Sequence, residues 1–536
     1  MNAPAAPSPP SRSRAAPALA LALIPLLALA VSAWVAWSVQ ARAVAAYYDP
    51  DYHYLLNSLM LAEGHAPRHI DHPGTPLQEL GAAVLLARHH LGLGPAGDGP
   101  LREGILRDPE SALTAISVCL RLLFAGALYL LGLRARELTG GLGAALAAQG
   151  ASLLSMIGLL SLWRVSPEPL VMTLSLLTAC ITLRLARGPG APGRFVALAG
   201  IIAGVGVATK VTFIPLLLVP LRALATRGRV AAYAAVSALA FVVAVAPILG
   251  QHERLLGWFG RLAANDGVYG RSEGHAIVNP SRYAGDLWRM IREEPAAIIA
   301  AAISAALLVH LGRSGRWRSL PPRERAIAGT LGLVALVQVL QYLLVAKHAG
   351  DRYLLPALML LGLNIALGHA LLSAAYPPAI RRRASAAALV LMLGYAAWLG
   401  IRLERRLADQ REQSTARLAL HALSLRTARA EGGVLACAYP SSSPVFALVF
   451  ADWWTANRFG PDLREMYPGQ WNYNVWGKTY SVGARQLPKQ RATDQAARGT
   501  LFFQGVRDVL PAEFDYQELG RAGEEGLYRA VPRPGP

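Results

Sequence analysis

The strongest constraint in this 536-residue chain is a series of long apolar runs separated by short, mostly basic links. After a first run at 17–39, others fall at about 113–133, 141–161, 167–187, 196–221, 229–250, 294–312, 326–346, 353–374 and 384–402. About 20 consecutive apolar residues is the length an α-helix needs to cross a bilayer. Inside lipid each backbone polar group must pair within its own segment, so every such run is expected to be helical. Composition agrees: 54% of residues are hydrophobic and the mean hydropathy is +0.34. The expected fold is mostly α, a polytopic transmembrane helical bundle of about 10–11 spans, with a small α/β domain at the C-terminal end.

The formal net charge of +19 could suggest nucleic acid as a partner. The arginines, however, gather in short links such as 313–325 and 381–383, where the positive-inside rule accounts for them. The three cysteines, Cys119, Cys180 and Cys437, are too few and too scattered for a disulfide framework or a zinc site. Residues 1–16, rich in Pro, Ala and Ser, read as a disordered tail. The first apolar run is longer than a signal-peptide core and is read as a retained span.

Two spans separate the basic links at 313–325 and 381–383, which places both inside. Loop 251–293, the turn Lys347–Arg352 and everything after 403 then lie outside. Correct parity in the first half allows two arrangements. Either 76–92 spans and 196–221 is one span, or 76–92 lies on the surface and 196–221 is a hairpin about Thr209-Lys210. The second is preferred, because a lone lysine in mid-span is costly. The chain therefore divides into 17–403, a membrane domain with a first extracytoplasmic loop at 40–112, and 404–536, an extracytoplasmic domain. The expected location is the inner (plasma) membrane of a bacterium.

Residues 47–78 of that first loop, YYDPDYHYLLNSLMLAEGHAPRHIDHPGTPLQ, are dense in charge for a stretch beside a membrane span. Asp49 is a good N-cap, Pro50 fits the first helical position and Asp51 lies near the positive helix end. Tyr52, Leu55, Leu56, Leu59 and Met60 then form one apolar stripe, which predicts a short amphipathic helix lying on the membrane surface and ending near Gly64. Thr75-Pro76-Leu77-Gln78 reads as a capping box opening a second helix.

After 403 the character changes. Residues 405–432 are polar and helix-prone, and 434–439, 501–504 and 526–531 read as strands of a domain of about 130 residues. Trp453, Trp454, Trp471, Tyr473 and Trp476 cluster there; packing and interfacial anchoring is the plainer reading, stacking on a sugar the sharper one.

The preferred topology collects Asp49, Asp51, His69, Asp71, His72, Arg164, Glu168, Lys210, Lys347, His348, Asp351 and Arg352 on one face. Carboxylates suit deprotonation of a hydroxyl or metal ligation, and Lys and Arg at the bilayer rim suit a lipid phosphate. Transfer of a sugar from a polyprenyl phosphate would need that combination.

Several local patterns, in this order, resemble the multi-spanning GT-C glycosyltransferases, in the family 39-like branch that holds protein O-mannosyltransferases and the aminoarabinose transferase. They are Asp49-Pro-Asp51 after the first span, Asp71-His72-Pro-Gly-Thr-Pro76 where the family usually has a diproline, and Arg164-Val-Ser-Pro-Glu168 where Asp is more usual. Gly204-Val-Gly-Val-Ala-Thr-Lys210 and Lys347-His-Ala-Gly-Asp-Arg352-Tyr353-Leu-Leu-Pro356 follow. The resemblance implies a GT-C-like fold and transfer of a sugar from a polyprenyl-phosphate donor to a glycan, lipid or protein acceptor. It nominates Asp49 or Asp51 as the catalytic base, and Lys210 and Arg352 as phosphate ligands; from their place on the same face, Lys347 and Arg164 are expected beside the phosphate, and Glu168, His72, Asp71, His69 and Tyr353 in acceptor-binding or supporting roles. A divalent metal, Mg or Mn on Asp49 and Asp51, is compatible with it. Two other readings compete. A transporter or flippase of lipid-linked sugars would show paired repeats and matched broken helices, which the sequence does not display. A non-catalytic scaffold would leave the acid-and-base cluster without a purpose.

Overall fold

The computed structural model describes residues 15–39, 42–45, 51–93, 100–188, 192–264, 278, 280–440, 443–468, 470–483 and 485–533. Asp49 and most of the expected N-terminal tail lie outside them.

Eight helices among the described residues are long and apolar enough to cross a membrane, and Leu142–Ala151 and Gly193–Thr209 are shorter apolar helices. Their ends follow local chemistry. Helix Pro109–Thr139 starts on Asp108, whose carboxylate accepts from the Ser111 N–H at 3.1 Å, and stops at Gly140, where φ is +71°. Helix Pro167–Ala186 is buried along nearly its whole length and forms the centre of the bundle. Helices Arg227–Ala244 and Ala296–Arg313 keep large apolar side chains such as Leu239, Val243, Ile299 and Ile303 exposed, as a lipid-facing surface requires. Helices Gly193–Thr209 and Arg227–Ala244 touch backbone to backbone: a Cβ at Gly204 would sit 2.3 Å from the Ser237 carbonyl oxygen. Buried amides bind the bundle further, with Gln338 donating to Asn364 Oδ1 at 2.9 Å and Asn364 donating to Ser304 Oγ at 3.0 Å.

Three expectations change in the structure. The 141–161 run breaks between Ala151 and Met156, where the Ser155 hydroxyl caps a new short helix through the Gly158 N–H. The helix after Asp51, Tyr52–Ala62, does not lie exposed on a membrane surface. Its polar side as well as its apolar stripe is buried, because helix Thr75–His90, helix Pro109–Thr139 and the C-terminal domain enclose it. Thr75 is not an N-cap; Gly74, at φ +78°, takes that place, and Gln78 reaches across to the His69 carbonyl instead of closing a box.

Helix Pro378–Ala430 runs unbroken for 53 residues, on the order of 80 Å at 1.5 Å per residue. Its first half is apolar and exposed at Leu389, Val390, Leu391 and Leu393, while its last turns pack under the C-terminal sheet. The boundary expected at 403–404 thus falls inside one rigid element. The C-terminal domain is a seven-stranded sheet in the order β4-β3-β2-β1-β5-β7-β6, with β1 (Val434–Cys437), β2 (Gln470–Asn474), β3 (Thr479–Val482), β4 (Arg485–Leu487), β5 (Leu501–Val506), β6 (Phe514–Ala522) and β7 (Glu525–Pro532). β1 is parallel to both neighbours, and the outer strands pair antiparallel. β1, β5 and β7 overlap the three expected strands; the other four are short or carry little alternation.

What positions the site is the helix Pro444–Asp452, which follows β1. Its Ala447, Leu448, Val449 and Ala451 belong to the same buried core as the membrane helices, so the domain is seated on the bundle. Arg102 adds an ionic clasp, 2.6 Å from Glu63 and 3.2 Å from Asp462.

Glu294, just before helix Ala296–Arg313, is 3% exposed. One carboxylate oxygen accepts from the Ile157 N–H at 3.1 Å, and its other oxygen has no partner among the described residues. Burial, with Asp351 nearby, lifts its carboxyl from the ordinary 4.5 to about 7, against the pull of the Ile157 N–H, Ser155 and Arg402. A group whose folded value is raised supports the fold below its unfolded value and withdraws that support as it ionises. The thermal midpoint in detergent is therefore expected to fall as pH rises from 4.5 to about 7, and Glu294→Gln to flatten that slope.

Candidate active site

The loop 64–74 is tied down from every side. Asn57 Oδ1 accepts from the Arg68 and His69 N–H groups at 2.8 and 3.0 Å, and Gln78 donates to the His69 carbonyl at 2.8 Å. The Gly74 N–H donates to the Ala208 carbonyl and the Val211 N–H to the His72 carbonyl, each at 3.0 Å. These last two bonds lock the loop to the chain on either side of Lys210. His72 sits at φ +99°, a region an L side chain seldom occupies, so its surroundings must hold it there. Burial and the nearby Lys210 ammonium push its imidazole well below the usual range, which makes it neutral at pH 7.

Lys210 marks the break in 196–221. Helix Gly193–Thr209 ends there and a tighter 3₁₀ segment, Val211–Leu218, begins. The bend turns Lys210 inward, where it is 2% exposed and donates to Glu168 Oε1. Glu168 stands in the first turn of helix Pro167–Ala186, 4% exposed, and Arg352 Nε lies 3.9 Å from its Oε1. The Tyr353 ring completes the group, 4.6 Å from Lys210 Nζ and 5.4 Å from Arg352 Cζ.

Two cavities meet here. The first, of about 340 Å³, is polar on its membrane-domain side, where His53, His69, Asp71, His72, Arg164, Glu168, His348 and Arg352 line it. On the C-terminal-domain side it is aromatic: Tyr439, Phe450, Trp454 and Trp476. The second, of about 460 Å³, is apolar, walled by Ile214, Pro215, Trp258, Phe259, Leu262, Leu344 and Val345, with Lys210 and Lys347 on its edge. His72, His348 and Tyr353 line both, so they form the partition. Lys347 donates to the Ala263 carbonyl at 2.8 Å, near the end of helix His252–Ala264.

Asp51 lies behind this wall. It is fully buried and does not line either cavity. Arg164 Nε and Nη2 donate to its Oδ1 at 2.9 and 2.7 Å, and the Val165 N–H donates to Oδ2 at 2.7 Å. Arg42, itself buried and with its guanidinium pKa lowered by that burial, approaches Oδ2 at 3.6 Å. Both oxygens of Asp51 are thus taken by protein donors, a poor fit to a metal ligand. Among the described residues no group of three or more His, Cys, Asp and Glu is placed to hold a metal ion. Asp351 also stands apart, beside Glu293. Of the residues nominated from the sequence, His69, Asp71, His72, Arg164, Glu168, Arg352 and Tyr353 share one cavity, Lys210 and Lys347 face its apolar neighbour, and Asp49 lies outside the described residues.

No protein-family model matches the chain, and no curated protein sequence matches it. Two solved structures align with it over nearly their whole lengths. Both are of ArnT from Cupriavidus metallidurans, one bound to undecaprenyl phosphate and one in the apo state. They are 14% and 13% identical to this chain, cover 94% of it and 97% of their own length, and have TM-scores of 0.49.

Several site residues were not singled out from the sequence. Asn57 looked like an ordinary helix residue and Gln78 like the end of a capping box, and only the fold shows that they hold the loop. Tyr439, Phe450 and Trp258 carry no local signal: the first two come from the far domain, and the last from helix His252–Ala264.

Proposed function

We propose that this chain is an integral membrane glycosyltransferase that takes a sugar from a polyprenyl-phosphate donor at the extracytoplasmic face. The observation that carries this reading is the pair of cavities, one polar and one apolar, joined where Lys210, Glu168, Arg352 and Tyr353 converge. A donor of this class has the same three parts in the same order. Its isoprenoid tail occupies the apolar cavity, its phosphate lies near Lys210, Arg352 and Lys347, and its sugar enters the polar cavity. A soluble sugar nucleotide would leave the apolar cavity unused.

In the transfer, an acceptor hydroxyl oxygen forms a bond to the anomeric carbon while the bond from that carbon to the phosphate oxygen breaks. The hydroxyl proton passes to a cavity-wall base, and polyprenyl phosphate leaves with the bonding electron pair. Displacement in a single step inverts the anomeric centre. Lys210 and Arg352 stabilise the charge that grows on the phosphate. Glu168, between these two cations, holds them together before the donor arrives. Asp71, the other carboxylate on the described cavity wall, is given the base role, with neutral His72 beside it to hold the acceptor hydroxyl. Asp51 is given a positioning role through Arg164, and Asp49 remains a second candidate for the base.

The test is binding of undecaprenyl phosphate to the full chain in nanodiscs, compared with free phosphate and with a neutral polyprenol. The expected order is undecaprenyl phosphate far above polyprenol, with free phosphate weakest, and binding lost in Arg352→Ala. Equal binding of polyprenol and undecaprenyl phosphate would remove the phosphate site and this reading with it.

A further inference from the structure

The C-terminal domain contributes to the polar cavity an aromatic wall that has no part in the phosphate and tail contacts proposed for the donor. Trp476 stands on the turn between β2 and β3 and is 61% exposed, although it lines the cavity. It is held there by construction. Asn474 Oδ1 accepts from the Trp476 and Gly477 N–H groups at 3.0 and 2.8 Å, which fixes the turn. Tyr439, Phe450 and Trp453 brace the indole at centroid distances of 5.1, 5.9 and 6.1 Å. Trp454, 38% exposed, is fixed in the same way: Asp452 accepts from the Thr455 hydroxyl and the Phe459 N–H, and Asn57 donates to the Trp454 carbonyl at 3.3 Å. Its ring meets His69 edge-on at 5.0 Å.

Rigid, exposed indoles facing a wall of imidazole, carboxylate and guanidinium groups match one ligand chemistry well. A pyranose ring has a face of C–H groups that covers an aromatic plane, and a rim of hydroxyls that takes hydrogen bonds. Membrane anchoring fits less well. The tryptophans exposed on the membrane helices, Trp34, Trp37 and Trp398, do not line the cavity, whereas Trp454 and Trp476 do. An acyl chain has the apolar cavity available on the other side of Tyr353.

We propose that Trp476 and Trp454 form the acceptor subsite, and that the acceptor is a carbohydrate whose ring stacks on these indoles with a hydroxyl directed toward Asp71 and His72. This deepens the transferase reading and rests on it. The cavity volume of about 340 Å³ sits in the usual range for small-ligand sites, roughly 300–1,000 Å³.

The experiment is saturation-transfer NMR on the full chain in nanodiscs, with cellotetraose, maltotetraose and mannotetraose as probes and a serine-rich peptide as competitor class. At least one tetrasaccharide is expected to receive saturation on its ring C–H protons. Trp476→Ala is expected to weaken that binding about tenfold, and Trp476→Phe to restore most of it. Undecaprenyl phosphate binding is expected to be unchanged in both variants. Three results overturn the inference: no saturation of any tetrasaccharide while undecaprenyl phosphate binds, Trp476-dependent binding of the peptide instead, or an effect of Trp476→Ala confined to thermal midpoint or nanodisc association. Failure of undecaprenyl phosphate to bind while tetrasaccharide binding persists removes the donor reading and, with it, the acceptor role of this wall.

Discussion

Lys210→Met is expected to lower transfer by about 10²–10³-fold, the usual effect of removing one preorganised donor to a developing oxyanion. The physical reason is its place at the partition. Lys210 is 2% exposed, points into the junction of the two cavities and is paired with Glu168. Its loss removes a cation from the phosphate position and leaves Glu168 facing Arg352, 3.9 Å away. That imbalance repels a phosphate, so donor affinity falls together with turnover. Glu168→Gln in the same chain removes the excess negative charge and is expected to recover part of the donor affinity and little of the turnover. Lys210→Arg keeps the charge but not the compact ammonium, and falls in between. The measurement is single-turnover transfer from a polyprenyl-phosphate sugar, with donor binding recorded separately. Turnover of Lys210→Met within twofold of the parent would falsify the phosphate assignment.

Asp51→Asn carries the second large effect, and it is one of stability. Asp51 is fully buried and holds Arg164, the Val165 N–H and Arg42 around one carboxylate. Removing one partner of a buried charge cluster leaves uncompensated charge, and the loss is typically about 3–5 kcal/mol. A marked drop in the thermal midpoint is expected, with turnover reduced because Arg164 loses its anchor at the cavity wall. Arg42→Met combined with Asp51→Asn removes the more buried guanidinium as well, and is expected to recover part of the midpoint. A different pattern, an unchanged midpoint with turnover abolished, assigns Asp51 to the chemistry and ends its role as a strut.

The carboxylate motif shows where sequence reasoning stops. Asp51 was nominated for catalysis because its motif resembles the first-loop acid of the GT-C enzymes, and because charge beside a membrane span is expensive. Its hydrogen-bond partner in the fold, Arg164, lies 113 positions away. A carboxylate that meets an arginine and a backbone N–H inside the protein and one that faces a solvent-filled cavity have the same local sequence. Lys210 was legible for a better reason. A lone lysine in an apolar run of 26 residues can be accommodated only by a break or a turn, and the helix does end at Thr209.

The chain alone determined that this protein is a bundle of apolar helices with basic links and a polar C-terminal domain. Bilayer thickness and backbone hydrogen bonding act on each segment separately, so those features can be read one run at a time. It also determined where chemistry-bearing residues concentrate, in 49–78, 164–168, 210 and 347–353. Tertiary structure decided which of them share a cavity, which are buried in ion pairs, and that helix Tyr52–Ala62 is enclosed and not surface-bound. It also decided that aromatic side chains from the far domain close the site, because the seating of helix Pro444–Asp452 in the membrane core depends on shape complementarity between segments some 400 residues apart, a relation that no local pattern encodes.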